Sequence, residues 1–264
     1  MRCAVVGDPI GHSQSPVLHR AGYAAAGLSW SYDAVQVPSG TLASFVSSLD
    51  EEWRGLSVTA PLKREAAALA STASPVVTSS GVANTLVRSS SGAWSAENTD
   101  VPGAAAALRE RYAGPVTSAT ILGGGATAVS TGLALASLGA REITLLVRDA
   151  ARSATAVSVL AAHPAGPTVS VAPLSSGTVV GEVLVSTIPA AAQSPALVSR
   201  CAGVPVLFEV TYHPWPTPLA AASAGDQVLV TGLDLLVHQA ALQFELFTGT
   251  PAADVLTPMR AALA

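Results

Sequence analysis

One stretch in the middle of the chain constrains the fold more than any other. Ala119–Leu122 is predicted to be a short apolar strand, the triplet Gly123–Gly125 a tight turn, and Ala126–Leu138 a helix. Gly139 ends that helix, and a second strand is predicted over Glu142–Val147. This order of elements is a βαβ unit with parallel strands. The chain is therefore expected to contain an open α/β domain.

The turn of this unit carries the pattern Gly123-x-Gly125-x-x-Ala128, which indicates a dinucleotide site when it joins a strand to a helix. Gly123 permits the turn, Gly125 lets the backbone approach a pyrophosphate, and Ala128 allows close packing of helix on sheet. The helix N terminus adds N–H groups and a positive dipole end. Cofactor contacts are expected from Gly123, Gly124, Gly125, Ala126, Thr127 and Ala128. The alternative is a tight turn that binds nothing.

Two arginines and an aspartate follow the second strand, in Leu146-Val-Arg148-Asp149-Ala-Ala-Arg152. An acidic residue here usually binds the ribose hydroxyls of NAD, whereas an arginine accommodates the 2′-phosphate of NADP. Arg148 and Arg152 favour NADP, and Asp149 favours NAD because it would repel that phosphate. Asp149 is also a good helix-capping residue, which is the alternative for it. NADP is the expected cofactor, with NAD as the second possibility.

Strands and helices alternate along the whole chain, which is typical of a parallel α/β protein. Before the βαβ unit, strands are predicted near residues 2–6, 32–37, 56–59 and 82–88, and helices near 16–26, 41–49, 61–70 and 101–112. After it, strands are predicted near residues 168–171, 183–186, 206–210 and 227–230, and helices over 233–247 and 252–263. The serine-rich stretches 71–80 and 89–95 are predicted to be solvated loops.

Composition argues against several classes of partner. Only 11% of the residues are charged and the formal net charge is −4, with no basic run, which disfavours nucleic acid and anionic membranes. The apolar runs fall short of the roughly 18 residues of a membrane span, and no signal peptide is expected. Cys3 and Cys201 lack metal or redox spacing and are expected to be free, buried thiols of a cytoplasmic protein. A small molecule is the expected ligand, and no metal is expected.

Lysine is almost missing from the chain. Lys and Arg together number 13, and the single lysine is Lys63, in Gly55-Leu-Ser-Val-Thr-Ala-Pro-Leu-Lys63. A desolvated lysine can have its pKa lowered enough to give and take a proton, whereas arginine stays protonated. The position therefore suggests proton transfer, and the alternative is an ordinary lysine on a solvated helix face.

Six different short motifs with polar residues are spread along the chain. They are Gly7-Asp-Pro-Ile-Gly-His-Ser13-Gln-Ser15-Pro16, Val58-Thr59-Ala-Pro-Leu-Lys63, Ala83-Asn84-Thr85, Asn98-Thr-Asp100, Tyr212-His-Pro-Trp-Pro-Thr217-Pro218 and Gly232-Leu-Asp-Leu-Leu-Val-His-Gln239. Together with the glycine fingerprint, they occur in the order typical of shikimate dehydrogenases. The chain resembles that family along nearly its whole length.

The resemblance implies a site for shikimate, a small cyclic acid with three hydroxyls. By similarity, Ser13, Ser15 and Tyr212 would bind its carboxylate. The residues implied for the ring hydroxyls are Thr59, Lys63, Asn84, Asp100 and Gln239, and Thr187 and Gly232 are further cofactor contacts. Structural alternatives are a plain loop and helix cap for the two serines and an exposed helix position for Gln239. His12 is expected to be a structural loop residue.

Lys63 and Asp100 form the implied catalytic pair. Oxidation of the 3-hydroxyl removes its proton as hydride leaves the carbon, and a general acid–base group contributes about 10²–10⁴-fold to such a step. Burial lowers a lysine pKa and a nearby carboxylate raises it, so the pair is expected to titrate together. Lys63 is expected to transfer the proton and Asp100 to orient it.

The chain departs from the family pattern at several places. Val101 replaces a common glycine after Asn98-Thr-Asp100, Glu209 stands where an aspartate is usual, and Asp234 replaces a glycine. Val101 raises the question of where its helix starts. Asp234 is expected either to alter contacts near the nicotinamide or to point to solvent.

The resemblance implies a two-domain α/β oxidoreductase with a cleft between the domains. Residues 1–100 and 237–264 are expected to bind shikimate, and residues 101–236 to form a Rossmann-type NADP-binding domain. The expected reaction is reversible NADPH-dependent reduction of 3-dehydroshikimate to shikimate, which supplies aromatic amino-acid precursors in this family. The alternatives are an NAD-dependent quinate/shikimate dehydrogenase and a non-catalytic nucleotide-binding sensor. The expected assembly is a monomer or homodimer.

Overall fold

Two six-stranded sheets, one in each of two units, organise the chain in the computed structural model, which describes residues 1–263. The first unit comprises residues 1–99 and the described residues from 236 onward, and the second comprises Asp100–Leu235. The strands are β1 (Arg2–Gly7), β2 (Ser31–Gln36), β3 (Trp53–Val58), β4 (Thr72–Ala73), β5 (Thr85–Arg88), β6 (Trp94–Glu97), β7 (Ser118–Leu122), β8 (Glu142–Val147), β9 (Thr168–Pro173), β10 (Val183–Ser186), β11 (Val206–Glu209) and β12 (Val228–Thr231).

The helices pack around these sheets. They are α1 (Ser15–Ala25), α2 (Leu42–Ser47), α3 (Lys63–Leu69), α4 (Pro75–Ser80), α5 (Asp100–Arg111), α6 (Ala126–Ser137), α7 (Ala154–Ala161), α8 (Pro195–Cys201), α9 (Pro218–Ala222), α10 (Gly232–Thr248) and α11 (Ala252–Ala261). Within residues 1–263, none of them has both the length and the apolar composition that crossing a bilayer requires.

The first sheet is mixed, with strand order β2-β1-β3-β5-β6-β4. β1 runs parallel to β2 and β3, but β5 is antiparallel to β3 and β6. The expectation of parallel strands throughout is therefore wrong for this sheet. The reason is the short turn between β5 and β6, where Ser89 N–H donates to the Ala93 carbonyl and Gly92 has a φ of 85°. A turn this short can join only antiparallel neighbours.

The prediction of solvated loops is wrong for residues 71–80 but is confirmed for residues 89–93, a largely exposed turn between β5 and β6. Residues 71–80 contain β4 and α4, and residues 89–95 run into β6. Backbone pairing with a distant strand causes this order: Ser71 N–H donates to the Trp94 carbonyl and Ser74 N–H to the Ala96 carbonyl. Pro75 then stands in the first turn of α4, where its missing N–H costs nothing.

The two faces of β1 pack into separate cores. Cys3 and Val5 join a buried cluster with α1, α10 and α11, which includes Phe244. Ala4 and Val6 join a second cluster on the opposite face. This division follows from the alternation of side chains along a strand. The helices of the C-terminal segment therefore complete the first unit.

The second sheet is parallel throughout, with order β12-β11-β10-β7-β8-β9. Counted from β7 as the first strand, this is the Rossmann order 3-2-1-4-5-6. The order reverses between β7 and β10, and ligands of such sheets bind outside the carboxyl ends of the strands at that switch point. Leu122 and Ser186, the last residues of these two strands, mark the place.

Both cysteines are free and buried, which confirms that expectation. Cys3 lies in β1 of the first unit, and Cys201 is the last residue of α8 in the second. Burial raises the pKa of each thiol to about 11. Neither thiol is therefore ionised to a useful extent at neutral pH.

Candidate active site

The loop after β1 holds its two serines in a defined arrangement. The Ser13 hydroxyl accepts a hydrogen bond of 3.3 Å from the N–H of Ser15, and the Ser13 N–H donates to the carbonyl of Ile10 at 3.0 Å. Ser15 begins α1 and is buried beside the hydroxyl of Tyr32. Ser13 thus caps backbone, as the structural alternative proposes. Carboxylate binding by the two hydroxyls stays a prediction.

Asn84 is the centre of a buried polar cluster in the first unit. Its side-chain Nδ2 donates to Thr99 Oγ1 at 2.9 Å and to Gln239 Oε1 at 3.2 Å. Its Oδ1 accepts from the Thr99 N–H and from Thr85 Oγ1, each at 2.8 Å. Asn84 is 2% exposed and Gln239 7% exposed. The structure therefore brings two of the residues implied for the ring hydroxyls into direct contact.

Gln239 is not an exposed helix residue, so the structural alternative for it is wrong. It lies on α10, and its Nε2 donates to the Leu236 carbonyl at 2.9 Å. With its amide nitrogen held by its own helix, its amide oxygen faces Asn84.

Thr59 and Lys63 frame the turn between β3 and α3. The Thr59 N–H donates to the Val6 carbonyl at 2.9 Å, and the Thr59 carbonyl accepts from the Leu62 N–H at 2.9 Å. Lys63 is the first residue of α3, and its carbonyl accepts from the Ala83 N–H at 2.9 Å. That bond fixes the backbone of Lys63 against the residue immediately before Asn84.

Asp100 and Tyr212 belong to the second unit. Asp100 begins α5 and is 6% exposed, in the first turn where the helix dipole favours a carboxylate. Val101 follows inside the helix and is buried, so α5 begins before it despite the missing glycine. Tyr212 follows β11, in a segment that ends at Thr217, the N-cap of α9.

Glu209 forms hydrogen bonds with the segment between β11 and α9 that carries Tyr212. This carboxyl is fully buried at the end of β11 and accepts hydrogen bonds from the Thr211 N–H (3.0 Å), Gln193 Nε2 (2.7 Å) and Thr217 Oγ1 (3.0 Å). Burial raises its pKa above the ordinary value and outweighs these bonds. Glu209 thus ties both ends of the segment that carries Tyr212.

The glycine turn of the second unit fits a dinucleotide pyrophosphate. Gly123 has a φ of 114°, which favours glycine. It also packs directly against Thr187, because a Cβ at position 123 would overlap Thr187 Oγ1. Thr187 Oγ1 in turn donates to the Leu122 carbonyl at 2.7 Å, across the switch point. A Cβ added at Gly125 meets nothing within 4 Å. Gly125 is the N-cap of α6, so the open space adjoins the first N–H groups of that helix, and such N–H groups are suited to binding a phosphate.

The remaining fingerprint residues have structural roles as well. A Cβ at Gly124 would lie 3.1 Å from the Ser153 Cβ, so this glycine permits close packing. Ala126 and Thr127 form the first turn of α6, and Ala128 is fully buried. At Gly232 a Cβ would overlap the carbonyl of Val210, so Gly232 allows α10 to start beside that strand end.

A cavity of about 320 Å³ lies at the carboxyl ends of β8 and β9. Its polar lining consists of Arg148, Ser175 and Ser194, beside Val147 and Pro173. One guanidinium and two hydroxyls are donors that suit a phosphate ester. Sequence reasoning identified Arg148 but missed the two serines, because they follow strands far along the chain.

Asp149 bonds to the backbone two residues on, although it is not the N-cap residue of the helix that follows, so the helix-cap alternative holds only in this looser form. Its Oδ1 accepts a hydrogen bond of 3.0 Å from the Ala151 N–H, in the turn that leads to α7. Arg152 is exposed in the same turn. One oxygen of the carboxylate that favoured NAD is therefore bonded to its own backbone.

Asp234 does not point to solvent, so the second of the two alternatives for it is wrong, and the first stays a prediction. It is 6% exposed, and its Oδ2 accepts hydrogen bonds from the Thr231 N–H (2.9 Å) and Thr231 Oγ1 (2.8 Å). The Asp234 N–H donates back to Thr231 Oγ1 at 3.2 Å. This reciprocal pair is a capping box at the start of α10. Asp234 also accepts from Arg111 at 2.7 Å.

Comparisons with known proteins all point to one family. Residues 5–86 match the shikimate dehydrogenase substrate binding domain, and residues 232–264 match the shikimate 5′-dehydrogenase C-terminal domain. The shikimate dehydrogenase (NADP(+)) of Methylobacterium radiotolerans is 35% identical over 262 residues, which cover 94% of this chain and 91% of the relative.

Two solved structures are similar over the whole chain. The shikimate dehydrogenase of Mycobacterium tuberculosis is 38% identical, with a TM-score of 0.88 and coverage of 100% of this chain and 99% of that one. Shikimate 5-dehydrogenase from Thermus thermophilus, solved in complex with NADP(H) and shikimate, is 25% identical with a TM-score of 0.83 and 99% coverage of both chains.

Proposed function

This chain belongs to the shikimate dehydrogenase family, and we propose that it catalyses the reversible NADPH-dependent reduction of 3-dehydroshikimate to shikimate. One observation carries the proposal: a shikimate dehydrogenase (NADP(+)) is 35% identical over 94% of the chain. The donors around Arg148 support NADP as the cofactor. A cytoplasmic location and a monomer or homodimer belong to the same proposal.

The residues of the chain have three proposed tasks in this reaction: to transfer a proton, to orient the reacting groups and to bind the rest of the substrate. When bound, the nicotinamide cofactor supplies hydride to the carbonyl carbon in reduction and accepts it in oxidation. The carbonyl oxygen must gain one proton in the same step, and Lys63 can give it as an ammonium. The same side chain, once neutral, can take the proton back in the reverse direction. Arginine cannot replace it because a guanidinium keeps its proton.

Asp100 is proposed to orient the lysine and the reacting hydroxyl. It lies in the first turn of α5 and is buried. An ionised carboxylate accepts hydrogen bonds from both an ammonium and a hydroxyl. Lys63 and Asp100 are therefore proposed as the catalytic pair.

Neutral side chains are proposed to bind the rest of the substrate. Asn84 and Gln239 present amide groups for ring hydroxyls, with Thr59 as a further partner. Ser13, Ser15 and Tyr212 offer hydroxyl donors to the carboxylate. Hydroxyl and amide groups match a polyhydroxylated ring in hydrogen-bonding capacity. The buried contact between Asn84 and Gln239 supports the grouping of these two residues.

Four parallel assays test the function. Nicotinamide absorbance is followed with shikimate or quinate, each paired with NADP or NAD. Turnover that is rapid only with shikimate and NADP is the expected result. Faster turnover with quinate or with NAD would replace the proposed activity by the quinate/shikimate alternative. Binding of NADP without turnover of either acid would point to the nucleotide-binding sensor instead.

A further inference from the structure

A chain of buried hydrogen bonds runs through the first unit and ends at Asn84. Tyr32 OH donates to Ser57 Oγ at 2.5 Å, and Ser57 Oγ donates to Gln243 Oε1 at 2.6 Å. Gln243 Nε2 then donates to the Asn84 carbonyl and to Thr85 Oγ1, each at 2.9 Å. All five residues are 4% exposed or less. The interior of this unit is thus bonded directly to a predicted substrate ligand.

The donors and acceptors in this series of hydrogen bonds determine which way the side-chain amide of Gln243 is oriented. Ser57 Oγ accepts from Tyr32 and so gives its own hydrogen to Gln243. The amide oxygen of Gln243 must therefore face Ser57, and its two N–H groups must face the other side. Both of those groups have acceptors there, the Asn84 carbonyl and the Thr85 hydroxyl.

The hydroxyl of Thr85 passes this orientation to Asn84. Because Thr85 Oγ1 accepts from Gln243, its hydrogen is free to go to Asn84 Oδ1 at 2.8 Å. The Thr99 N–H donates to the same oxygen. The oxygen of the Asn84 amide is held by two donors, so its NH₂ group faces Gln239.

We propose that Gln243 is a positioning residue for substrate binding, which acts through the Thr85 hydroxyl to hold the Asn84 amide with its NH₂ group toward Gln239, the neighbouring predicted ligand. This inference rests on the proposed function. Gln243 itself is buried behind Asn84 and bonds to its carbonyl. It stands four residues after Gln239 on α10, so one turn of helix carries both a predicted ligand and the residue that orients the neighbouring one.

The first variant is Gln243→Glu, which keeps the shape of the side chain. A carboxyl group carries at most one hydrogen where the amide has two, so either the Asn84 carbonyl or the Thr85 hydroxyl loses its donor. Thr85 can then turn its hydrogen toward position 243 and away from Asn84. The KM for shikimate is expected to rise about tenfold. The kcat and the KM for NADP are expected to stay near those of the wild type.

The second variant, Thr85→Val, removes the connecting hydroxyl and is expected to raise the KM for shikimate by a similar factor. If Gln243 acts through Thr85, the double variant should be no worse than the poorer single one. Thr248→Val is the control: Thr248 lies on the same helix, and its hydroxyl donates to the Phe244 carbonyl and accepts from the Thr250 N–H, neither of which belongs to this series of hydrogen bonds. This control should leave the KM for shikimate unchanged.

A spectroscopic readout separates this inference from the proposed function. The side-chain amide signals of Asn84 in a ¹⁵N spectrum, identified by their loss in Asn84→Asp, should move in Gln243→Glu and in Thr85→Val but not in Thr248→Val. Unmoved signals, or a folded Gln243→Glu enzyme with the wild-type KM, would overturn the role of Gln243. Multiplied effects in the double variant would also overturn it. A wild-type protein without turnover would instead contradict the function, and the amide signals would still decide the role of Gln243.

Discussion

Arg111 donates a hydrogen bond of 2.7 Å to Asp234 and so joins the last turn of α5 to the first turn of α10. The carboxylate also closes the capping box with Thr231. Burial alone would raise the pKa of Asp234, but the bonds from Arg111 and Thr231 outweigh it and hold that pKa below its ordinary value of 3.8. An aspartate in place of the usual glycine is thus a structural element of the second unit.

The variant Asp234→Asn should lower the free energy of unfolding by about 1–2 kcal/mol at pH 7, because the ion pair is lost and a neutral oxygen accepts the Thr231 hydrogen bonds more weakly than a carboxylate. A carboxyl with a depressed pKa stabilises the fold above its unfolded pKa and loses that effect as the pH falls through the folded pKa. Urea unfolding at pH 7 and at stepwise lower pH should therefore show the two proteins converging below about pH 3.8.

The matched control for that prediction is Asp33→Asn. Arg20 and Asp33 form an ion pair of 2.9 Å, but their side chains are 59% and 54% exposed. Loss of this exposed ion pair should change the free energy of unfolding by no more than about 0.5 kcal/mol. A difference between Asp234→Asn and the wild type that persisted at low pH would contradict the ion-pair explanation.

Replacing Lys63 by arginine should lower kcat by about 10²–10⁴-fold while the protein stays folded, because a guanidinium cannot transfer the proton. Asp100→Asn should also lower kcat, since the amide no longer supplies the negative charge. Arg64→Lys is the control at the next, exposed position and should keep wild-type turnover. Initial rates and circular dichroism of the three variants provide the comparison, and a near-normal kcat in Lys63→Arg would refute the proton-transfer role.

The glycine turn allows structural and ligand effects to be separated. Gly125→Ala should leave the free energy of unfolding within about 1 kcal/mol of the wild type, because its Cβ meets nothing and alanine tolerates its φ of −84°. The KM for NADP should nevertheless rise about tenfold or more, because the methyl group enters the space next to the helix N terminus.

In contrast, Gly123→Ala should destabilise the protein by about 1–3 kcal/mol, since its φ of 114° strains any side chain. Thermal unfolding and NADP titration of both variants measure the difference. If Gly125→Ala bound NADP as tightly as the wild type, the phosphates would have to bind elsewhere.

The variant Arg148→Ala should lower kcat/KM with NADP by about 10–100-fold, the value of a charge-assisted hydrogen bond, and change kcat/KM with NAD little. Asp149→Ala should leave the preference for NADP intact, since that carboxylate caps a turn. Arg141→Ala is the control, because Arg141 precedes the opposite end of β8. Steady-state rates with both cofactors test all three, and a gain in NADP preference on removal of Asp149 would show that it faces the cofactor.

Local sequence patterns predicted the elements that are long or flanked by clear punctuation. The unit β7-α6-β8 lies where the glycine turn and the apolar runs placed it, because its signals are all close in sequence. Helices α7, α8 and α9 have 8, 7 and 5 residues, which is too short for a periodic signal. The strand β4 has two residues and exists only through its pairing with β6.

The motif residues of the candidate site were visible in the sequence, but their partners were not. Gln243 bonds to Asn84 across 159 positions of chain, and no local pattern reports such a contact. The spacing of four between Gln239 and Gln243 on one helix was the available signal. The role of Asp234 also required coordinates, since its partner Arg111 is 123 positions away.

The placement of the two cysteines gives each unit a natural reporter of its own opening. Because Cys3 and Cys201 are buried and protonated, an alkylating reagent can reach either one only when the surrounding segment opens. Labelling followed by peptide mass analysis therefore yields two opening rates from one unmodified protein. A ligand that protects Cys201 but not Cys3 would reveal which half of the chain it stabilises, without any mutation or spectroscopic probe.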